Sequence, residues 1–112
     1  MVKTLYIPNR GDIVWLDFNP QLGHEQRGRR PALVISHKPY NEKIGLCIFC
    51  PITSKEKGYP FEVKIMGIKI NGCVLSDQVK SLDWKARNIE YIENIDEEIM
   101  KEVIDKIKVI IE

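Results

Sequence analysis

The spacing of apolar residues changes along this chain. Between residues 12 and 92, short runs rich in β-branched and aromatic side chains alternate with turn residues, a pattern that predicts β-strands. The predicted strands are Asp12–Phe18, Ala32–Ser36, Leu46–Ile52, Phe61–Ile65, Cys73–Ser76 and Asn88–Ile92. A helical turn is expected at Lys38–Lys43. Strands this short and evenly spaced favour a small barrel or a strongly curved sheet.

Turn residues separate the predicted strands. Asn19-Pro20 and Lys57–Pro60 are two such breaks, and Asn71-Gly72 is the strongest hairpin signal in the chain. A chain of 112 residues with 44% hydrophobic content suits one domain, residues 1–112, around one core. We therefore expect a mainly β fold.

The C-terminal part has helical spacing instead. From Asp96 onward, apolar residues recur every three or four positions and form one stripe: Ile99, Val103, Ile107 and Ile110, flanked by Met100, Ile104 and Ile111. Asn94 is the predicted N-cap, and Glu97 with Lys101 and Glu102 with Lys106 are predicted ion pairs. This helix is expected to pack across the barrel.

Charge is unevenly distributed although the net charge is only +1. Residues 93–112 carry seven acidic residues and three lysines, so the rest of the chain is basic. A basic body suits a polyanion-binding surface, although solvated faces produce the same asymmetry. Apolar runs are too short to cross a bilayer, and the N-terminus lacks the apolar core of a signal peptide. We expect a cytoplasmic protein with no membrane contact.

Three cysteines are expected to be core residues. Their odd number argues against a disulfide framework. Cys47 and Cys50 form a C-x-x-C, but three steps along a strand point side chains to opposite faces, so the pair cannot easily chelate one metal. No paired spacing of Cys73, His24 or His37 completes a zinc site. No metal or cofactor is predicted.

The segment Gly23–Pro31 concentrates the chemistry-bearing residues. It holds an imidazole, a carboxylate and three guanidiniums in a glycine-containing loop between two predicted strands. Strands at both ends would hold such a loop in place, and these groups suit phosphate chemistry. Taken alone, three arginines in a loop are more often solvated charge. Trp15 and Trp84 are expected to be core or interface aromatics.

Several further motifs occur in order before and after this segment. Gly11–Trp15 precedes it, and Pro51–Ser54, Asp77–Ser81 and Trp84–Arg87 follow in order. Together these motifs resemble the MazF/PemK (Kid) toxins of bacterial type II toxin–antitoxin systems over nearly the whole chain. The resemblance implies a homodimer of SH3-like barrels with a C-terminal helix, silenced by a cognate antitoxin whose extended tail covers the RNA groove.

The activity that the resemblance implies is that of a sequence-specific, metal-independent endoribonuclease. Such an enzyme cuts single-stranded mRNA with the RNA's own 2′-hydroxyl and leaves a 2′,3′-cyclic phosphate and a 5′-hydroxyl. That reaction needs a base, an acid and donors for the charge on phosphorus, and a guanidinium can supply the donors without a metal.

Four residues match catalytic positions of the family. Arg30 matches the arginine before proline that clamps the transition state and is also a candidate proton donor, and Thr53 matches the hydroxyl that binds the scissile phosphate. Glu25 is the candidate base, and His24 matches a histidine that the Kid branch uses in proton transfer. The choice between Glu25 and His24 stays open. Expected RNA contacts are Gln26, Arg27, Arg29, Ser54, Lys57, Tyr59, Asp77 and Gln78.

One position departs from the Kid pattern. That branch has an arginine two residues before its catalytic aspartate, whereas this chain has Leu75 before Asp77. Residues 58–63 and 77–87 read more like the MazF branch, so Asp77 and Gln78 are expected to contact RNA or shape the groove rather than carry protons.

Two other functions compete with the nuclease. A gyrase inhibitor like CcdB shares the fold but acts through a Trp-Gly-Ile tail, whereas this chain ends Val109-Ile110-Ile111-Glu112. A non-catalytic SH3-like module that binds RNA or protein would not need Glu25, Arg30 and Thr53 together.

Overall fold

The computed structural model describes residues 5–18 and 28–112. These residues form seven strands, two α-helices and one 3-10 helix. The strands are β1 (Asp12–Phe18), β2 (Gly28–Val34), β3 (Leu46–Thr53), β4 (Glu62–Met66), β5 (Asn71–Leu75), β6 (Lys80–Asp83) and β7 (Glu90–Asn94). The helices are α1 (Lys38–Ile44), the 3-10 helix (Trp84–Arg87) and α2 (Glu97–Ile111). The predicted mainly β fold with a C-terminal helix is confirmed.

Antiparallel pairing orders the strands β4-β5-β3-β2-β1-β7, and β6 pairs with the first half of β3. The sheet is not closed by backbone pairing of its two end strands in the described residues. Its ends nevertheless approach each other, because the Glu93 side chain of β7 bonds the turn between β4 and β5. It accepts from the N–H groups of Ile68, Lys69 and Ile70 at 2.8–3.0 Å. The result is the barrel-like shape that the strand spacing predicts.

The central strands are buried on both faces. Ile13, Leu33 and Cys50 pack on one face with Met100, Val103 and Ile107 of α2. On the other face, Val14, Leu16, Ala32, Val34, Cys47 and Phe49 surround Trp84. The sheet therefore separates the apolar interior into two clusters, where the sequence alone indicated one core. The predicted packing of α2 on the sheet and the predicted burial of Trp84 are both confirmed.

The cysteine prediction is confirmed by this arrangement. Cys47 and Cys50 are both free and buried, and they lie in opposite clusters as strand alternation requires. Burial raises the pKa of each thiol to about 12. Neither thiolate is appreciably populated near neutral pH, so these side chains act as small apolar residues.

Two strand starts differ from the prediction, and two elements are missing from it. Strand β2 begins at Gly28 rather than Ala32, because Gly28, Arg29 and Arg30 continue the register opposite Phe18, Asp17 and Leu16 of β1. The last strand begins at Glu90, because Asn88 ends the 3-10 helix in the left-handed conformation at φ 55°. Strand β6 and the 3-10 helix were not predicted, since their polar sequence has no clear periodicity.

Asn71-Gly72 is not a turn, contrary to the hairpin prediction. These residues begin β5, and the turn is formed by the residues between β4 and β5. Gly72 is required by a close approach to β3: an added Cβ would lie 2.4 Å from the Thr53 carbonyl oxygen. The glycine therefore marks a contact between two backbones rather than a change of direction.

The α2 helix differs in its details from the prediction. Its N-cap is Asp96, whose carboxylate accepts from Ile99 N at 2.9 Å, and Asn94 belongs to β7. Lys101 pairs with Asp105 rather than Glu97, and Lys106 donates to the Pro60 carbonyl rather than pairing with Glu102. No helix in the described residues is both long and apolar enough to span a bilayer.

Candidate active site

A groove of about 780 Å³ opens where the ends of β2 and β3 meet β5, β6 and the 3-10 helix. We call it the cationic groove. Among its described lining residues, five are basic and one is acidic: Arg30, Lys55, Lys57, Lys80 and Arg87 against Glu62. Phe18, Pro51, Ile52, Leu75 and Leu82 supply its apolar surface. Such a groove suits a ligand that presents both negative charge and flat apolar groups.

Arg30 and Thr53 meet in this groove although 22 residues separate them in the sequence. The register between β2 and β3 pairs Leu33 with Cys50 and Ala32 with Pro51. The observed pairing ends there, and Arg30 and Thr53 lie two residues further along each strand, at the end that lines the groove. Because strand side chains alternate, both residues present their side chains on the same face. Strand pairing thus brings together a planar guanidinium and a hydroxyl.

Thr53 is oriented by its own loop. Its Oγ1 accepts a hydrogen bond from Lys55 N at 3.1 Å. That bond uses an oxygen lone pair and leaves the hydroxyl hydrogen for another acceptor, since a threonine hydroxyl donates one bond and accepts up to two. A phosphate oxygen in the groove is a suitable acceptor.

Arg29 lies outside the groove although it is the neighbour of Arg30. Its guanidinium bonds Asp17 at 3.2 Å and Glu90 at 3.0 Å, so two carboxylates already balance its charge. The strand conformation explains this split, because consecutive side chains point to opposite faces. A loop conformation, as predicted from the sequence, would not have separated the two arginines in this way.

The segment between β3 and β4 forms one wall of the groove. Glu62 holds it by accepting from the N–H groups of Lys57, Gly58 and Tyr59 at 3.1–3.4 Å. The Tyr59 hydroxyl donates to Asp77 Oδ2, and this hydrogen bond raises the pKa of Tyr59. The phenol therefore keeps its proton at neutral pH. Asp77 supports this wall through Tyr59 and is not itself a lining residue.

The structure brings together five of the residues predicted to act on RNA. Arg30, Thr53, Lys57, Tyr59 and Gln78 line the cationic groove. Ser54 is exposed beside Thr53, outside the lining set. His24, Glu25, Gln26 and Arg27 lie outside the described residues, as do the predicted turn residues Asn19 and Pro20. Lys55 also lines the groove and begins the stretch Lys55–Tyr59 that the sequence indicated as base-reading, whereas Lys80 and Arg87, which lie in the family motifs, were given no role from the sequence.

The fold and the groove define a class: small, barrel-like β proteins with a cationic groove whose lining includes an arginine and a threonine hydroxyl. The family model for PemK-like, MazF-like toxins of type II toxin–antitoxin systems matches residues 9–111. The endoribonuclease toxin MazF of Escherichia coli strain K12 is 44% identical over 106 residues, which are 95% of this chain and 96% of that protein. Endoribonuclease PemK of Escherichia coli is 33% identical, over 91% of this chain and 80% of that protein.

Solved structures agree with these relatives. The crystal structure of MazF from Deinococcus radiodurans superposes with a TM-score of 0.87 at 46% identity, over 95% of this chain and 97% of that one. A MazE–MazF structure from the same organism also gives a TM-score of 0.87 at 46% identity, over 95% and 96% of the two chains. This chain belongs to the PemK/MazF family of type II toxin–antitoxin toxins, and its activity is that of an endoribonuclease.

Proposed function

We propose that this endoribonuclease cuts single-stranded mRNA at selected sequences, without a metal ion, by attack of the RNA's own 2′-hydroxyl. The observation that carries this proposal is the placement of Arg30 and Thr53 on one face of a groove lined by five cations. Arginine suits the phosphate because its planar fork donates two parallel hydrogen bonds to phosphate oxygens.

The reaction needs no cofactor to balance. A base removes the 2′-hydroxyl proton, the 2′-oxygen bonds to phosphorus, and the bond from phosphorus to the 5′-oxygen breaks. An acid then protonates the departing oxygen, so the products are a 2′,3′-cyclic phosphate and a 5′-hydroxyl. Arg30 stabilises the negative charge that develops on the phosphoryl oxygens, and Thr53 donates its hydroxyl hydrogen to one of them.

Proton transfer is assigned to the segment before β2. Glu25 is the proposed base, and His24 is the alternative, because an imidazole titrates near neutral pH. Gln26, Arg27, Arg29, Ser54, Lys57, Tyr59, Asp77 and Gln78 are the proposed RNA-binding residues. Of these, Lys57, Tyr59 and Gln78 are supported by their position in the groove, where unpaired bases can stack and bond.

The first experiment incubates the purified protein with a long single-stranded RNA in excess EDTA, beside Arg30→Ala and Arg30→Lys. Discrete cuts with cyclic-phosphate and 5′-hydroxyl ends are expected. Arg30→Ala should lose at least about 10²-fold in rate, as when a preorganised transition-state donor is removed. Arg30→Lys should recover little, because an ammonium lacks the fork. RNA binding without cutting, or cutting only after metal is restored, would overturn the proposed chemistry.

The proposed partners are a cognate antitoxin and a second copy of this chain. Exposed apolar side chains support a protein interface, among them Met66, Ile68 and Val109 at 80%, 94% and 72% exposure. The family's MazE–MazF complexes support the antitoxin. Light scattering should give twice the 13.0 kDa chain mass, and a cognate antitoxin should suppress RNA cutting. A 13.0 kDa particle would contradict the dimer, and unchanged cutting would contradict the antitoxin.

A further inference from the structure

Arg87 is a second guanidinium in the cationic groove, and neither the sequence motifs nor the proposed reaction gives it a role. It ends the 3-10 helix and lines the groove together with Arg30 and Phe18. Its Nη1 donates to the Asp17 carbonyl at a long 3.3 Å. Its Nε is buried and has no hydrogen-bond partner. A buried donor without a partner is costly, so an acceptor is expected in the functional state.

The backbone that carries Arg87 is held firmly. Trp84, 1% exposed, anchors the start of the 3-10 helix in the core and donates from Nε1 to the Asn41 carbonyl at 2.9 Å. Asp83 caps the helix by accepting from Lys85 N and Ala86 N. Asn88 then turns the chain away in a left-handed conformation. Arg87 is thereby directed at the groove by a short, doubly capped element.

The charge of Arg87 is not balanced by a carboxylate among the residues of 5–18 and 28–112. Arg29 differs in this respect: its guanidinium pairs with the carboxylates of Asp17 and Glu90, and it lies outside the groove. A partly buried cation without an anionic partner is unfavourable, and a neighbouring phosphate would remove that cost. Arg87 lines the same cavity as Arg30 and Thr53.

We infer that Arg87 binds a backbone phosphate of the substrate RNA next to the phosphate that is cut. This inference rests on the proposed function and adds a binding residue to its site. Arg30 and Thr53 take the scissile phosphate, whereas Arg87 approaches from the end of β1 and takes a neighbouring one. Such a contact is equally strong before and during the reaction, so it lowers KM and leaves kcat unchanged.

The test compares Arg87→Gln with Lys85→Gln. Both changes remove one positive charge from the same short helix, but Lys85 lies outside the groove-lining set, with its ammonium 5.6 Å from the Trp84 ring. KM for a mapped RNA substrate should rise about tenfold in Arg87→Gln, the effect of one charge-assisted hydrogen bond, with kcat within about twofold. Lys85→Gln should match the wild type.

Salt dependence gives a second readout. Binding of an uncleavable RNA, with a 2′-deoxy sugar at the cut site, is measured at several salt concentrations. The slope of log affinity against log salt should fall by about 0.7 in Arg87→Gln, the value for one phosphate contact on a single strand. Arg87→Lys keeps the charge and should restore the slope while KM stays raised. Thermal melting of each variant separates these effects from unfolding.

The outcomes distinguish failure of the Arg87 assignment from failure of the proposed function. If Arg87→Gln leaves KM and the salt slope unchanged while the wild type cuts RNA, the inference is wrong and the proposed function stands. If Arg87→Gln loses kcat instead, Arg87 acts on the scissile phosphate and the assignment to a neighbouring one is overturned. If the wild type neither binds nor cuts RNA, the proposed function and the inference fail together.

Discussion

Single residues in this molecule take their roles from the face of the strand on which they lie. Arg29 and Arg30 are sequence neighbours with the same side chain, yet one joins Asp17 and Glu90 and the other lines the groove. Thr53 follows the same rule, since it lies on the strand face that lines the groove with Arg30. The role proposed for Thr53 depends on one hydrogen atom. Its Oγ1 accepts from Lys55 N, and its single hydroxyl hydrogen is left to donate to a phosphate oxygen.

Thr53→Val tests that hydroxyl. Valine has nearly the same shape but offers no donor to the phosphate, so RNA cutting should slow by about 10²-fold. Thr53→Ser, which keeps the hydroxyl, should retain most of the activity. Single-turnover cutting rates with saturating enzyme provide the measurement, and melting curves check the fold. A fully active valine variant would remove Thr53 from the proposed mechanism.

At the scale of secondary-structure elements, capping aspartates fix where α2 and the 3-10 helix begin. The α2 helix begins after Asp96, whose carboxylate accepts from Ile99 N, while Asn94 remains in β7 opposite Asp12. The 3-10 helix begins after Asp83 in the same manner. Both caps satisfy backbone N–H groups that have no partner within the helix. The placement of Arg87 and of the α2 apolar face follows from these two aspartates.

Asp96→Ala tests the α2 cap. Loss of the side-chain acceptor should lower the free energy of unfolding by about 1 kcal/mol. Asn94→Ala, two residues earlier and on an exposed strand position, is the matched control and should cost clearly less. Urea denaturation followed by circular dichroism measures both. An equal or larger loss for Asn94→Ala would contradict the observed cap.

The whole molecule is held in its barrel-like shape by contacts between the ends of an open sheet. Strands β4 and β7 lie at opposite ends of the strand order, and Glu93 of β7 bonds three N–H groups in the turn that follows β4. Gly67 permits this approach, because an added Cβ there would lie 2.5 Å from Glu93 Oε2. The α2 helix covers the face between these ends.

Glu93→Gln tests this closure through pH. Partial desolvation opposes ionisation of Glu93, but its three backbone hydrogen bonds outweigh that effect and lower the pKa below 4.5 in the folded protein. The carboxylate therefore stabilises the fold above the pKa of the unfolded chain, and that contribution disappears as pH falls through the folded pKa. Glu93→Gln should be less stable than the wild type at pH 7, and the difference should shrink in acid.

The control for this experiment is Glu42→Gln. It makes the same charge change at an exposed position of α1. Its stability difference from the wild type should be small, because the side chain is exposed. Urea unfolding at pH 7 and at about pH 3, below the reference value for glutamate, gives both differences. A Glu93→Gln difference that persists unchanged in acid would show that the carboxylate charge has no part in closure.

The sequence by itself determined the elements whose pattern is local. Short apolar runs bounded by turn residues predicted β1 at its observed bounds and β3 within one residue, and helical spacing predicted α2. Strand parity predicted that Cys47 and Cys50 face opposite sides. The collinear motifs identified the family and indicated Arg30 and Thr53 as site residues. These features depend on side-chain type and periodicity, which are properties of short segments.

Only the tertiary structure decided features that depend on partners distant in the sequence. Pairing with β1 extended β2 through Arg29 and Arg30 and so separated the two arginines, and pairing with β3 formed β6 from residues without periodicity. Gly72 is needed where the backbone passes close to Thr53 and does not form a turn. The sequence could not show this, because Thr53 lies nearly twenty residues earlier in the chain. Arg87 lines the groove because strand pairing and the caps of the 3-10 helix place it there. Strand pairing depends on residues distant in the sequence, so no local sequence pattern predicts this position.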